Sequence, residues 1–321
     1  MRHFAATLGL GLLASLTFNA CSRTASDASR PSFAFVTNNV ANFWTIARRG
    51  VQDAEREFGV QVAFEIPATG SAAEQQEIIE QLIAAGVKGM AISPVDPANQ
   101  TDMLNQVAER LILICHDSDA PMSRRRAYIG TDNYSAGRAA GQLIKEAVLQ
   151  GGKMVLFVGT LDAQNARDRQ QGILDEIKGS SIVYLDTRTD NSDHARAKAN
   201  VEEILVSEPD VACLVGLYSW NGPAIAEAVQ SAGKVGQVRI VCFDEEEATL
   251  QAIKDGVIHG TVVQKPYQFG YQSVRIMKAL FDGDDSVIPP NKNIDTGVTV
   301  VKKDNVEAFW QELKRLLAPG K

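Results

Sequence analysis

From residue 33 almost to its C-terminus, the chain alternates segments with the hydrophobic pattern of strands and of helices. The first apolar run, Phe33–Thr37, is suited to a buried parallel strand, and an amphipathic helix is predicted over Trp44–Phe58. Strand and helix then recur at Val60–Ile66 and Ser71–Ala85, where Ser71 is the expected helix cap. This order predicts an α/β fold built from doubly wound parallel sheets, with helices on both faces of each sheet.

The alternating pattern falls into two similar series. A short strand near Tyr128–Asn133 is predicted to be a crossing point, after which the second series begins. In each series one apolar strand ends in a cysteine, an aromatic ring and an aspartate, at Ile114–Asp117 and again at Val241–Asp244. The repeat predicts two similar lobes. If the lobes face each other, Asp117 and Asp244 lie across a shared cleft.

The length, the charge and the missing motifs of the chain exclude several classes of function. A length of 321 residues allows two domains of ordinary size. The net charge of −7 and the pI near 5.3 argue against a nucleic-acid partner, whose binding surface on the protein would be basic. The four histidines show no metal-ligand spacing, so no metal site is expected. The phosphate-binding and dinucleotide-binding glycine motifs and the Gly-x-Ser-x-Gly motif of hydrolases are absent at the expected places, and no cofactor is predicted.

The N-terminus has the pattern of an export signal. A basic start is followed by the apolar run Phe4–Leu16, which is too short to span a membrane. The run ends at Asn19-Ala20-Cys21, which resembles the lipobox of bacterial lipoproteins. We therefore expect a signal peptide over residues 1–21, and the resemblance implies a lipid anchor on Cys21; the alternative is an ordinary cleavage site with a tolerated cysteine. Residues 22–32 are polar and predict a flexible tether.

The other three cysteines, Cys115, Cys213 and Cys242, lie in apolar strand-like runs. We expect them to be buried as small hydrophobic residues rather than joined in a disulfide.

The loop after the first strand is a candidate binding site. It carries the uncharged amides of Asn38 and Asn39, and Phe43 and Trp44 follow at the start of a helix. Ligands of open α/β sheets bind at the carboxyl ends of the strands, where this loop lies. Flat rings beside amides would suit a polyol, although both rings could instead be core residues of the helix.

Asp117 and Asp244 are the strongest candidate ligand-binding residues, because a carboxylate at a strand end can accept strong hydrogen bonds from two neighbouring hydroxyls. The planar guanidinium of Arg167 could donate several hydrogen bonds to a ligand, and Gln264 places a side-chain amide at the end of another strand. Each of these residues could instead have a structural role. Either aspartate could cap a helix or form an ion pair in a loop. Arg167 could form an ion pair on the surface, and Gln264 could be a solvent-exposed residue at a strand end. The loop Ser219-Trp220-Asn221 repeats the aromatic-plus-amide pattern of the first loop, and the sequence leaves open which of its three side chains faces a ligand.

These residues together resemble the sugar-binding proteins of bacterial ABC importers, of the ribose-binding type. The segment from Asn38 to Trp44 is similar to the family's Asn-Asn-Pro-Phe-Phe segment, whose rings sandwich the sugar. Asp117 matches the family's strand-end aspartate, which an arginine follows; Ser118 stands there in this chain. The run Ala166–Arg169 is similar to the family's Ala-Arg-Glu-Arg run, which supplies a sugar-binding arginine, taken as Arg167. Phe243-Asp244 and Gln264 match two further family positions, whereas Ser219-Trp220-Asn221 replaces Asn-Asp-Glu.

The resemblance implies two lobes joined by a three-strand hinge, with a ligand cleft between them. The crossings would lie near Asp132, Gln264 and Asn291, so that residues 33–132 and 265–291 form an N-terminal lobe and residues 133–264 and 292–321 a C-terminal lobe. It also implies an exported or envelope-bound monomer that captures a monosaccharide or polyol and delivers it to a membrane permease, with no enzymatic activity. The alternatives are a sugar sensor that feeds a receptor, a sugar-responsive repressor domain, and a glycoside hydrolase that uses Asp117 and Asp244.

Overall fold

The computed structural model describes Met1 and residues 30–318. The chain divides into two compact units, Met1–Arg30 and Pro31–Lys321, and every helix and strand given below belongs to the second. The predicted signal peptide after Met1, including Cys21, and most of the predicted tether lie outside the described residues. Within the described part of the chain, no helix is both long and apolar enough to cross a membrane.

The first sheet forms the core of a lobe that we call lobe 1. Its six strands are all parallel, in the order β11-β5-β4-β3-β1-β2. Side chains alternate along the strands, so that the aromatic rings of β1 pack beneath helices α1 and α9 while its smaller residues face α2 and α3. The elements are β1 (Ser32–Val36), α1 (Phe43–Phe58), β2 (Gln61–Glu65), α2 (Ala72–Ala84), β3 (Gly89–Ile92), α3 (Pro97–Ala108), β4 (Ile112–His116), β5 (Tyr128–Gly130), α9 (Pro266–Phe281), a 3₁₀ turn (Asp285–Val287) and β11 (Asn293–Asp295).

The second sheet forms the core of lobe 2. Its strand order is β12-β10-β9-β8-β6-β7, and every pair is parallel except β12 with β10. Helices α4 and α5 cover one face, and α6, α7, α8 and α10 cover the other. The elements are α4 (Asn133–Ala147), β6 (Gly152–Val158), α5 (Gln164–Ile177), β7 (Ile182–Thr189), α6 (His194–Ser207), β8 (Val211–Gly216), α7 (Asn221–Ser231), β9 (Arg239–Phe243), α8 (Glu247–Lys254), β10 (Gly260–Val263), β12 (Thr299–Lys302) and α10 (Val306–Leu317).

The chain passes between the two sheets three times. The first passage follows β5, the second lies between β10 and α9, and the third lies between Asp295 and Thr299. The first lies beside Asp132 and the second beside Gln264. The third lies beyond Asn291, because Asn293–Asp295 pairs with β5 and extends the sheet of lobe 1. A three-residue polar strand has no apolar run from which the sequence could reveal it.

The predicted fold class, two doubly wound parallel-sheet lobes, is confirmed. Cys115, Cys213 and Cys242 are free and buried in the core strands, as expected. Burial raises the pKa of each of these thiols to about 12, so that they stay protonated and act as small apolar side chains.

Helices α1 and α9 approach so closely that only glycine fits at their contact. A Cβ atom at Gly50 would lie 2.0 Å from the carbonyl oxygen of Tyr267, and one at Gly270 would lie 2.1 Å from that of Ala47. The two helices therefore meet backbone to backbone and fix the start of α1, which carries Phe43 and Trp44.

We expect Gly50→Ala to destabilise the protein by at least about 1–3 kcal/mol, the usual cost of overpacking. In an uncrowded helix the same change would stabilise the protein by about 0.5–1 kcal/mol. A loss of stability therefore indicates that the two helices are in close contact at Gly50. Urea unfolding measures it. Gly86→Ala is the control: its φ is +80° but no atom lies within 4 Å of the new methyl, so that only backbone strain of about 1–2 kcal/mol applies. A Gly50→Ala variant more stable than wild type would contradict the close contact.

Candidate functional site

Asp117 and Asp244 occupy equivalent positions in the two lobes. Asp117 follows β4 and Asp244 follows β9, and both have left-handed backbones, with φ of 56° and 69°. Aspartate tolerates this conformation better than most residues do. Each carboxylate is turned from its strand end into the same narrow cavity between the lobes. The two carboxylates that the sequence pattern paired are thus brought together by the structure.

Asp117 is held by hydrogen bonds from both lobes. Its Oδ2 accepts hydrogen bonds from Ser93 Oγ (2.9 Å), Asn38 Nδ2 (3.3 Å) and Asn165 Nδ2 (3.2 Å). Asn165 belongs to lobe 2, so this last hydrogen bond crosses the cleft. Burial raises the pKa of Asp117, whereas the charge of Arg169 and the three hydrogen bonds oppose that rise.

The carboxylate of Asp244 accepts one hydrogen bond, from Gln264 Nε2 to Oδ1 at 2.9 Å. Burial raises its pKa to about 6, although Arg169 and Gln264 favour the charged form. Fewer protein donors reach Asp244 than reach Asp117, so Asp244 has more hydrogen-bonding capacity left for a ligand.

Arg169 is the cation of the cavity. Its side chain is only 1% exposed, and its guanidinium lies 4.6 Å from the centre of the Phe243 ring. Nη1 donates to Leu217 O (2.6 Å) and Nε donates to Asn133 Oδ1 (2.9 Å), while Nη2 has no protein partner. Arg169 therefore has one donor group available beside the two carboxylates.

The structure does not bring Arg167 into the cavity. Its guanidinium donates to Leu161 O (2.8 Å) and Gln164 Oε1 (2.9 Å), and it lines a separate cavity beside Pro97 and Pro121 of lobe 1. Two residues along a helix correspond to a turn of about 200°, so that Arg167 and Arg169 lie on opposite faces. The structure thus places Arg169, and not the predicted Arg167, in the lining of this cavity.

Aromatic rings line the cavity from lobe 1. Phe43 and Trp44 are both buried there, edge to face, with ring centres 5.0 Å apart. Trp44 Nε1 donates to Asn39 Oδ1 at 3.0 Å, which fixes the indole. Behind it His116 stacks on Phe35 at 3.9 Å, and burial lowers the pKa of His116 to about 3. The histidine is therefore neutral and adds no charge to the site.

Lobe 2 contributes Tyr218 and Trp220. Trp220 Nε1 donates to Asp190 Oδ2 (3.2 Å), and Tyr218 OH donates to Asn165 Oδ1 (3.2 Å). Asn221 was predicted as a binding residue but does not line the cavity. Its Nδ2 donates to Asp190 Oδ2 (2.9 Å), so it holds the acceptor that fixes Trp220.

Ser118, also predicted, lies behind the cavity. It is fully buried and its backbone N donates to Ser93 Oγ (3.3 Å), the hydroxyl that in turn donates to Asp117. Of the predicted set, eight residues line the cavity and three do not: Asn38, Asn39, Phe43, Trp44, Asp117, Trp220, Asp244 and Gln264 do, whereas Ser118, Arg167 and Asn221 do not.

Five residues outside the predicted set also line the cavity: Ala41, Asn165, Arg169, Tyr218 and Ser219. The sequence reasoning left open whether Ser219 faces a ligand and missed the other four. Asn165 and Arg169 are four residues apart on one face of α5, and this helical spacing is the signal that could have found them.

Three polar atoms of the cavity residues are buried without a protein partner: Asn38 Oδ1, Gln264 Oε1 and Arg169 Nη2. With the two carboxylates, the cavity offers mostly acceptors and one donor. Its chemistry matches a small molecule rich in hydroxyl groups. Among the described residues, no group of three or more His, Cys, Asp or Glu side chains is placed to hold a metal ion.

The sequence pattern of the periplasmic binding protein domain matches residues 33–285, which span both sheets. The chain belongs to the periplasmic binding protein family. The family predicted from the sequence is thereby confirmed, as is the prediction of a binding protein rather than an enzyme.

Two curated relatives resemble this periplasmic binding protein over most of its length. The D-ribose/D-allose-binding protein of Pseudomonas aeruginosa is 24% identical, over 82% of this chain and 89% of its own. The D-allose-binding periplasmic protein of Escherichia coli is also 24% identical, over 91% of this chain and 94% of its own.

Two solved structures are similar. One is an ABC transporter solute-binding protein from Burkholderia graminis in complex with D-arabinose, with 30% identity, a TM-score of 0.80, and coverage of 86% of this chain and 96% of that one. The other is a glucose-galactose binding protein from Geobacillus stearothermophilus, with 26% identity, a TM-score of 0.81, and coverage of 86% and 98%.

We expect Asp190→Ala to destabilise this binding protein, because Trp220 Nε1 and Asn221 Nδ2 would both lose a buried acceptor. Each donor left without a partner costs about 1–3 kcal/mol. Asp186→Ala on the strand that precedes Asp190 is the control, since Asp186 is exposed and its loss should cost about 0.5 kcal/mol or less. Chemical unfolding compares the stabilities of the two variants. Equal stabilities would contradict the role of Asp190 in holding the Trp220 ring.

Proposed function

We propose that this protein is the solute-binding component of an ABC importer, which captures a monosaccharide or related polyol between its two lobes. The observation that carries the proposal is the pair of carboxylates, Asp117 and Asp244, that enter one cavity from different lobes. Each can accept hydrogen bonds from two neighbouring hydroxyls. The relatives named above bind ribose, allose, arabinose, glucose or galactose, and their names support the same class of ligand.

The aromatic rings and the polar atoms of the cavity would recognise different parts of a sugar. Phe43, Trp44 and Trp220 offer apolar faces to the C–H groups of a sugar ring. Asn38 Oδ1 and Gln264 Oε1 accept from hydroxyls, and Arg169 Nη2 donates to a ring or hydroxyl oxygen. A ligand without hydroxyls would leave these atoms buried and unpaired, which costs about 1–3 kcal/mol for each group. That penalty gives the site its specificity.

Capture is proposed to be a hinge closure about the three passages between the sheets. A ligand that touches both lobes stabilises the closed arrangement by its additional contacts there. The closed form, as a monomer, would then deliver the ligand to a membrane permease. The lobes proposed to move are residues 31–130 with 266–295, and residues 133–263 with 299–318.

The protein is proposed to act in the periplasm or cell envelope, anchored by a lipid on Cys21. The apolar run before Cys21 and the family membership support this location. We expect Cys21→Ser to move the protein from the membrane fraction to the soluble periplasmic fraction. The wild-type chain, fractionated in the same way, is the control. A wild-type protein that is already soluble would contradict the anchor but not the binding function.

The matched pair Arg169→Gln and Arg167→Gln tests the proposed site. A thermal-shift screen against pentoses, hexoses and inositols first finds the ligand, because a ligand that binds only the folded state raises its melting temperature. Calorimetry should then show a loss of affinity of about 10- to 100-fold for Arg169→Gln, which lacks a charge-assisted hydrogen bond. Arg167→Gln should bind as wild type does. Equal losses in both variants, or a loss only at Arg167, would contradict the assignment of Arg169.

A further inference from the structure

A second cavity of about 270 Å³ lies directly beside the cleft cavity. The two share Phe43, Ser219 and Asp244, so that the second cavity begins where the first ends. We call it the annex. It lies between the start of α1, the loop that leads into α8, and α10, whose Trp310 and Leu313 supply part of an apolar wall.

The annex is rich in carboxylates, and two of them have ordinary explanations. Glu247 is exposed and begins α8, where a negative charge is favoured by the helix dipole. Glu246 is half-buried and accepts a hydrogen bond from Asn42 Nδ2 of lobe 1 (3.0 Å). Neither residue needs a ligand to account for it.

Glu245 has no such explanation. Its side chain is only 7% exposed and lines the annex, and its Oε2 is buried without a hydrogen-bond partner. Burial, together with the charges of Asp244 and Glu246, raises the pKa of Glu245 well above its usual value. Burying a carboxylate without a partner costs free energy of folding. A hydrogen-bond donor or a cation from a ligand would offset that cost, and the protein itself supplies neither to Glu245 Oε2.

The cations nearby do not meet this need. Lys314, which also lines the annex, lies 4.3 Å from the centre of the Trp310 ring. Arg169 acts on Asp244 and Asp117, and its bound donors point to Leu217 and Asn133. Within the described part of the chain, no ion pair joins a basic side chain to Glu245.

We propose that the ligand carries a positively charged amino group, which lies in the annex against Glu245 while the hydroxylated ring lies in the cleft. The proposal rests on the proposed function, and it narrows the ligand class to amino sugars or amino-substituted polyols. The ammonium would donate to the carboxylates of Glu245 and Asp244, which both line the annex. Both carboxylates are buried, and burial strengthens their attraction for a cation.

Calorimetry on matched sugars tests the proposal. The probes are D-glucose, D-galactose and D-mannose, their 2-amino-2-deoxy derivatives, 6-amino-6-deoxy-D-glucose, and the N-acetyl forms of the 2-amino sugars, which keep the nitrogen but carry no charge. At pH 7 we expect at least one amino sugar to bind at least 10-fold tighter than both its parent and its N-acetyl form. This comparison needs only the wild-type chain.

Two variants then locate the effect. Glu245→Gln should remove the preference for the amino sugar and leave the affinity for the parent sugar within about twofold. Glu247→Gln is the control, because it removes the same charge from an exposed position of the same segment and should retain the preference.

The outcomes separate the two proposals. Binding of neutral sugars without any preference for their amino forms would overturn the annex proposal and leave the proposed function standing. A preference that survives Glu245→Gln would also overturn it. Failure of every sugar in this panel and of every pentose, hexose and inositol in the thermal-shift screen would count against the proposed function, and with it against the annex.

Discussion

One buried guanidinium allows two carboxylates to face each other in a closed cavity. Asp117 and Asp244 are both nearly inaccessible to solvent, and each raises the cost of ionising the other across the cleft. Arg169 opposes this for both. Its position is in turn fixed by Leu217 O, by Asn133 Oδ1 and by the ring of Phe243. Without that cation, the two strand ends would carry like charges with no buried counter-charge, and the lobes could not close on them at low cost.

Each lobe holds a tryptophan ring at the cleft by a hydrogen bond from its indole N–H. In lobe 1 the indole N–H of Trp44 donates to Asn39, in the loop after β1. In lobe 2 the indole N–H of Trp220 donates to Asp190, in the loop after β7. In each case a polar side chain at a strand end fixes a tryptophan that begins or precedes a helix. The rings are therefore positioned before any ligand arrives, which reduces the entropy lost on binding.

The sequence was sufficient to predict the fold and the two strand-end aspartates, because both depend on periodicity and on the carboxyl ends of apolar runs. It was not sufficient where the outcome depends on the rotation of a helix or on packing across the lobes. Arg167 and Arg169 fit the same motif, and they differ in which face of α5 they occupy: Arg169 lies on the face from which its guanidinium reaches the Phe243 ring. Ser118 and Asn221 lie one residue after a true lining residue, and the turn of the backbone directs them behind the cavity. The strand Asn293–Asp295 has no apolar pattern to reveal it.

The central claim is that one small hydroxylated molecule is gripped by an acid from each lobe. A crystal structure of the protein with the sugar that most raises its melting temperature tests this most directly. The account predicts hydroxyl oxygens of a single sugar at about 2.5–2.7 Å from carboxylate oxygens of both Asp117 and Asp244, with Trp44 or Trp220 against the ring. A sugar bound to one lobe only, or outside the cavity with both carboxylates turned away from it, would contradict the account.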